Sequence, residues 1–571
     1  MAAPAAEWAP VHLAPVDWSS VRREPFTRAF LDLPDVEDHD ADTRRQAMGI
    51  CVEDRGSARA LPSPVTSFEE LGQIPSFALE SLREHGIVAP LPVQAQALPL
   101  VLSGCDVIGL AQTGSGKTMA FLLPAVVHIE AQPALAHRAV TPIALILAPT
   151  RELAVQIADE ATKVLKRSRE GNHRNGIWAV CVYGGGKRYE QIKNLSWGSH
   201  IVVATPGRLL DFVSQKIISL ARVTYFVLDE ADRMLDLGFS GDVDALSSQV
   251  RPERQVLFFS ATWSASVQQM AKMLCFQGAR PVRMTVGQGG SAANDGAARQ
   301  AREGIIQEVV VVDCPEDIER QAVEKRRLLE EHLQDVLSSS EENKVLVFVS
   351  QKLLADELAN KLWEAGYKSA AMHGGKPQDS RLWTLDQFRK GDLRLLVATD
   401  VVGRGIDIPS VSHVVVFDMG SIDDYVHRIG RTARGKNGKG HALAFFEFWH
   451  KDPGIAAELM DLLIASKQPV PEDLKRIVQD VASGKRKGYD PNDKWVGGKW
   501  KAGQSWDSTD WKGGGQKSSG GYQSGQHLPV AAGKQERWSR GNGSGGSWPA
   551  QGKAADERPQ APVPESWDTD V

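Results

Sequence analysis

The octet Ala111–Thr118, AQTGSGKT, constrains this chain more than any other stretch. It follows the short apolar run Asp106–Leu110, which reads as a buried parallel strand. It precedes Met119-Ala120-Phe121-Leu122-Leu123, which can open a helix. Gly114 and Gly116 let the backbone turn without a Cβ clash. The N–H groups of Ala111, Gln112, Thr113, Gly114, Ser115 and Gly116, at a helix N-terminus, can cradle a polyphosphate. Lys117 would reach the β- and γ-phosphates, and Thr118 would offer its hydroxyl to Mg²⁺. The pattern is GxxxxGK[ST] with Ala111 in place of the first glycine. Taken alone, it also fits a Gly-Ser turn beside a solvated lysine.

The rest of the chain organises around that loop. At 571 residues it exceeds a single core. Residues 1–62 mix Pro with acidic residues and show no sustained period, which predicts a flexible arm with a short docked segment near Met48–Val52. Over 63–284, apolar runs at Val107–Leu110, Ile143–Ala148, Ala179–Tyr183, Ile201–Ala204, Tyr225–Leu228 and Val256–Ser260 alternate with helical patterns. That alternation predicts an α/β domain with a parallel sheet and helices on both faces. Residues 285–304 are rich in Gly, Ala and polar residues and read as a linker or surface loop. A second α/β unit spans 305–482, with strands at Gln307–Val312, Val345–Val349, Ser369–Met372, Leu395–Ala398, Val414–Phe417 and Ala442–Phe446. It has no phosphate loop of its own, so a site shared in the cleft between the units is expected.

Val227-Leu228-Asp229-Glu230-Ala231-Asp232 supplies the acidic counterpart: an apolar strand ending in carboxylates, where a parallel sheet places its site. Asp229 suits Mg²⁺ opposite Thr118, and Glu230 suits orienting or deprotonating an attacking water. Alone, this stretch would read as an acidic helix start. The net charge of −5 excludes a polybasic nucleic-acid binder, so any nucleic-acid contact must come from a local surface. Cys51, Cys105, Cys181, Cys275 and Cys314 are scattered without a CxxC, against a disulfide framework or a zinc site and in keeping with a reducing compartment. No apolar run reaches membrane-spanning length, and the N-terminus lacks a secretory apolar region.

Across residues 64–482 the chain resembles the DEAD-box ATP-dependent RNA helicases, through an ordered series of motifs. They are Gln94 in PLPVQ with Phe68 upstream, PTRELA at Pro149–Ala154, YGG at Tyr183–Gly185, TPGR at Thr205–Arg208, DEAD at Asp229–Asp232 and SAT at Ser260–Thr262. The second unit adds VLVFVSQK at Val345–Lys352, HGG at His373–Gly375 with Gln378 and Arg381, ATDVVGRGID at Ala398–Asp407 and HRIGRTAR at His427–Arg434. The resemblance implies two RecA-like domains that hydrolyse ATP with Mg²⁺ when RNA bridges them, and that separate short duplexes locally. It implies adenine contacts from Gln94 and Phe68, and closure over nucleotide and ribose by Gly405 and Asp407. Arg431 and Arg434, three apart on one helical face, would be arginine fingers supplied in cis. Asp232, Ser260, Thr262 and His427 would couple ATP state to RNA grip. RNA-backbone contacts would come from Pro149, Arg151, Gly185, Thr205, Arg208, Arg381, Thr399 and Arg404, with little sequence preference. The alternative is an ATP-dependent RNA clamp or scaffold with little unwinding.

The motif spelling looks most like the nuclear RNA-processing branch, which makes the nucleus the expected compartment, with the cytoplasm as alternative, and a monomeric catalytic core. Residues 483–571 differ again: Gly, Ser, Gln and Lys dominate, and seven tryptophans (495, 500, 506, 511, 538, 548 and 567) are spaced along them. The almost complete lack of aliphatic residues predicts disorder with aromatic stickers for RNA or for RNA-processing proteins.

Overall fold

The computed structural model describes residues 13–21, 23–33, 40–54, 60–112, 114–136, 139–275, 281–287, 304–314, 317–400, 411–433, 439–448, 452–486, 494–496 and 499–501. Strands form where the chain is continuously apolar and β-branched. The first sheet holds β1 (Ile50–Glu53), β2 (Val107–Ala111), β3 (Ala144–Leu147), β4 (Ala179–Val182), β5 (Ile201–Ala204), β6 (Tyr225–Leu228), β7 (Gln255–Ser260) and β8 (Val282–Val286). Their order is β1-β8-β2-β7-β6-β3-β5-β4. Every pairing is parallel except β1 with β8.

Helices cover both faces, so the central strands are buried on both sides. Alternation sends neighbours to opposite cores: Phe258 joins Phe226 and Met270, whereas Phe259 joins Phe121 and Leu98. All of these except Met270, at 2%, are fully enclosed. Cutting one such phenylalanine to Ala removes about 3–5 kcal/mol.

The second sheet is wholly parallel and built from β9 (Ile305–Val311), β10 (Val345–Phe348), β11 (Ser369–Met372), β12 (Leu395–Ala398), β13 (His413–Val416) and β14 (Gly440–Phe446), in the order β11-β12-β10-β13-β14-β9. Its two faces bury Leu346 and Phe348 on one side and Val345 and Val347 on the other.

The structure differs from the sequence-based expectations at the chain's edges. The segment expected to dock near 48–52 is strand β1, closing the open edge at β8. Residues 13–21 and 23–33, expected to be flexible, lie along the base of the first sheet. The Phe30 and Leu31 N–H groups donate to the Leu102 carbonyl (2.6 and 3.0 Å). Arg28 donates to the Gly104 and Arg254 carbonyls and to Asp106 (2.7, 3.2 and 2.7 Å). Phe26 and Phe30 meet the ring of His128 edge-on. A period search misses this strap because it forms no element; its partners lie far along the chain. Beyond the second sheet, β15 (Lys494–Val496) and β16 (Lys499–Lys501) pair as an antiparallel hairpin inside the stretch expected to be disordered.

Candidate active site

The strand order sorts the motifs along the carboxyl edge of the first sheet. The phosphate loop follows β2, Ser260 ends β7, and the carboxylates follow β6; these three strands are neighbours. Pro149 and Arg151 follow β3, Thr205 follows β5 and Gly185 follows β4, also neighbours. One half of the edge therefore carries phosphate and acid chemistry, and the other carries the residues suited to a nucleic-acid backbone.

In the first half, a helix begins at Lys117 with Gly116 at its N-cap, at φ +92°. A Cβ on Gly116 would lie 2.6 Å from Gln94 Nε2, so only glycine fits both the turn and the approach. Gln94 is buried, and its amide works at both ends: Leu91 N–H donates to Oε1 (3.0 Å), and Nε2 donates to the Gly116 carbonyl (2.8 Å). The glutamine expected to read adenine is thus built into the phosphate loop. Lys117 Nζ donates to the carbonyls of Ala111 (2.8 Å) and Gln112 (3.3 Å). Phe68 is 2% exposed and belongs to the core cluster that also holds Leu71 and Phe77.

Asp229 and Glu230 are both buried. Burial pushes the Asp229 carboxyl above the usual range, the neighbouring Glu230 and Asp232 push the same way, and the Lys117 ammonium opposes them. Among the described residues, Asp229 Oδ1 and Glu230 Oε2 have no hydrogen-bond partner. Glu230 caps its helix in the left-handed region, at φ +55°, a conformation that costs a non-glycine residue about 1–3 kcal/mol and aims the side chain. The Ser260 hydroxyl is buried without a partner among the described residues.

Contacts from the second sheet meet this edge at two places. Asp232 Oδ2 accepts from Thr262 Oγ1 (3.4 Å) and lies 3.7 Å from His427 Nε2. His427 belongs to the helix Ile422–Ile429, and Arg431 Nε donates back to the His427 carbonyl (3.3 Å). Arg431 is therefore held one turn beyond the contact with Asp232, and is 1% exposed. On the other half of the edge, Glu152 Oε1 lies 2.5 Å from Arg381 Nη2 and accepts from Gln378 Nε2 (3.1 Å). Arg151 Nη1 reaches Gln378 Oε1 at 3.5 Å. The Arg151 guanidinium also packs on Gly185, at φ +80°, where a Cβ would collide with it.

Arg381, expected on RNA, is thus a buried tie between the sheets. Glu152 is the partner the sequence reading passed over, because an acid in the first turn of a helix already has a local reason to be there. Pro149, Thr205 and Thr399 are buried at strand ends, and Arg208 lies over the Phe212 ring. Thr113, Arg404, Gly405, Asp407 and Arg434 lie outside the described residues.

Two α/β units that touch through their loops and helices, with a phosphate loop and paired acids on one and an arginine two residues beyond a helix on the other, define a two-domain nucleotide hydrolase of the RecA-like kind. Arg431, expected on a helical face, lies past the end of the helix Ile422–Ile429. The DEAD/DEAH box helicase family matches residues 91–270, and the helicase conserved C-terminal domain matches residues 324–436. The chain is 41% identical over 464 residues to the ATP-dependent RNA helicase DBP2 of Candida albicans, covering 80% of this chain and 76% of that protein. It is 39% identical over 463 residues to the DEAD-box ATP-dependent RNA helicase 20 of Arabidopsis thaliana, covering 80% and 85%. S. cerevisiae Dbp5 bound to RNA and ADP BeF3 shares the architecture with a TM-score of 0.56 at 27% identity, covering 72% of this chain and 100% of that one. The chain belongs to the DEAD-box ATP-dependent RNA helicases and is an RNA-dependent ATPase.

Proposed function

We propose that ATP is hydrolysed between the two sheets with the roles divided by side. On the first, Lys117 and the loop N–H groups hold the phosphates, Gln94 recognises adenine, and Glu230 orients the attacking water and takes its proton. On the second, Arg431 and Arg434 offset the charge that develops as the γ-phosphoryl leaves. The observation that carries this reading is the approach of His427 to Asp232, because Arg431 lies one turn from it. Asp229 and Thr118 fit Mg²⁺: a buried carboxylate oxygen without a partner beside a phosphate loop suits an ion that keeps waters and phosphate oxygens as its other ligands. When bound, that ion neutralises phosphate charge. Among the described residues no group of three or more His, Cys, Asp or Glu could hold a metal by itself, in keeping with such shared ligation.

Arg151, Gly185, Thr205, Arg208 and Thr399 are proposed to grip the RNA backbone, and Arg381 to set the angle between the sheets at which that grip forms. The tail from 483 would recruit RNA or RNA-processing proteins, with nuclear RNA processing as the setting. Steady-state ATPase assays with RNA, with matched DNA and with neither test the reading. Stimulation is expected from RNA alone, and Gln94→Ala should lose the preference for ATP over GTP. Equal stimulation by DNA would overturn the assigned grip.

A further inference from the structure

The helix Pro92–Leu102 carries two buried glutamines, Gln94 and Gln96. Two residues apart, they stand roughly 200° apart around the helix axis. Gln94 reaches Gly116 of the phosphate loop. Gln96 is fully buried and turns the other way, toward the chain ahead of the domain. Its Nε2 donates to the Pro62 carbonyl (2.9 Å), and its Oε1 accepts from Arg45 Nε (3.0 Å). Arg45 belongs to the short helix Ala41–Ala47, inside the arm that the sequence reads as flexible. It is 7% exposed, and the rest of its guanidinium is engaged too. Nη2 donates to the Leu61 and Pro62 carbonyls (3.4 and 3.2 Å), and Nη1 donates to Asp42 (2.9 Å).

These bonds fix the incoming chain and the helix to each other. Three residues past Pro62, the Val65 N–H donates to the Ala95 carbonyl (2.9 Å), between the two glutamines. The first turns of the helix are therefore held from two sides, by Arg45 with the segment 61–65 on one and by the phosphate loop on the other. Asp42 is the exposed partner, its side chain 86% accessible, so that ion pair adds little. The buried contacts are to neutral oxygens. A planar guanidinium suits them because its fixed fork reaches a side-chain amide and two carbonyls together, which a single ammonium on a flexible stem does not.

We infer that Arg45 is a positioning residue for nucleotide recognition. Through Gln96 and the carbonyls of Leu61 and Pro62, it sets the angle at which the helix Pro92–Leu102 presents Gln94 to adenine. Arg45 touches no substrate, and the inference rests on the adenine role proposed for Gln94. A displacement of about 1 Å in a recognising group can cost up to ~10²-fold. The arm ahead of the first domain thereby shares in deciding which nucleotide the enzyme takes.

The test measures RNA-stimulated ATPase and GTPase of the full chain and reads kcat/KM for each nucleotide. Arg45→Ala should raise the KM for ATP about fivefold or more, lower the ATP-over-GTP ratio of kcat/KM about as much, and leave kcat with ATP within about twofold. Arg45→Lys should restore part of both losses. Adding Arg45→Ala to Gln94→Ala should leave the ratio where Gln94→Ala alone puts it, because both changes act on one contact. Arg28→Ala loosens the same domain at its base and should leave the ratio unchanged, as should Asp42→Asn. A wild-type ratio in Arg45→Ala overturns the role. So does an equal fall of the ratio in Arg28→Ala, which would mark general loosening of the domain. If Arg45→Ala does not fold, Arg45→Lys decides by the same ratio. If wild type takes both nucleotides equally, the Gln94 reading falls and the role of Arg45 falls with it. If Gln94→Ala loses the preference while both Arg45 variants keep it, the role of Arg45 alone falls.

Discussion

The two domains present opposite chemistry where they meet. The first offers carboxylates and helix N-termini: Asp229, Glu230, Glu152 and Asp232, beside helices that start at Lys117, Arg151, Pro206 and Ala231. The second offers basic side chains: Arg381, His427 and Arg431. The two cross-domain acid–base pairs named above run the same way, acid on the first domain to base on the second. The difference teaches that neither sheet holds a complete site. In the proposed reading hydrolysis is a property of their apposition, and the groups that join them lie one or two residues from those assigned to ligands: Glu152 beside Arg151, and Asp232 two residues after Glu230. The amino-terminal ends differ as well. The first sheet is braced there by the strap of residues 13–33; the described residues of the second include no such brace.

The sharpest way to break the comparison is to take the arginine from the second sheet. Arg431→Ala should lower RNA-stimulated kcat by about 10³-fold or more while ATP still binds, since an arginine finger contributes on that order. A kcat within tenfold of wild type, in protein whose melting midpoint is unchanged, would show that the first sheet acts alone. Glu230→Gln should cost roughly 10²–10³ in kcat with nucleotide affinity retained. Near-normal turnover there would remove Glu230 from the reaction.

Glu152→Gln probes the tie without touching the chemistry. Removing one member of a buried ion pair costs about 3–5 kcal/mol. The expected result is weaker domain closure, read by a fluorescence pair across the cleft with a non-hydrolysable ATP analogue and RNA, with unstimulated ATPase unchanged. Closure as tight as in wild type would reduce the Glu152–Arg381 pair to a bystander.

The smallest effect concerns the strap. Burial lowers the His128 pKa to about 3. The unfolded chain therefore binds the extra proton first, so this histidine favours folding fully above pH 6.5, and that contribution is lost as pH falls below it. The slope is about 1.4 kcal/mol per pH unit. Denaturant midpoints at pH 7.5 and 5.5 should fall accordingly. Arg28→Ala should lower the unfolding free energy at both pH values by about 1–3 kcal/mol, and His128→Gln should flatten the difference between the two midpoints. A midpoint indifferent to Arg28 would mean the strap adds nothing to the first domain.

What the sequence determined by itself was chemistry and local form. The twelve strands read from apolar runs all occur, because strands buried on both faces leave a continuous local signal. The phosphate loop and the acids at the end of β6 were equally legible, since each function is written in a few consecutive residues. What the tertiary structure decided was adjacency. Nothing local says that β7 and β6 follow β2 along the sheet, so that phosphate and acid share one half of an edge. Gln94 spends its amide on Gly116, and Arg381 meets Glu152 across more than two hundred residues. Phe68 sits in the core cluster of the first domain, a placement that a lone phenylalanine does not announce in sequence. The strap and β1 depend wholly on distant partners. Periodicity reports what one segment can bury; which segments bury one another is set by chain closure and packing over long separations, and it becomes visible only when the chain is folded.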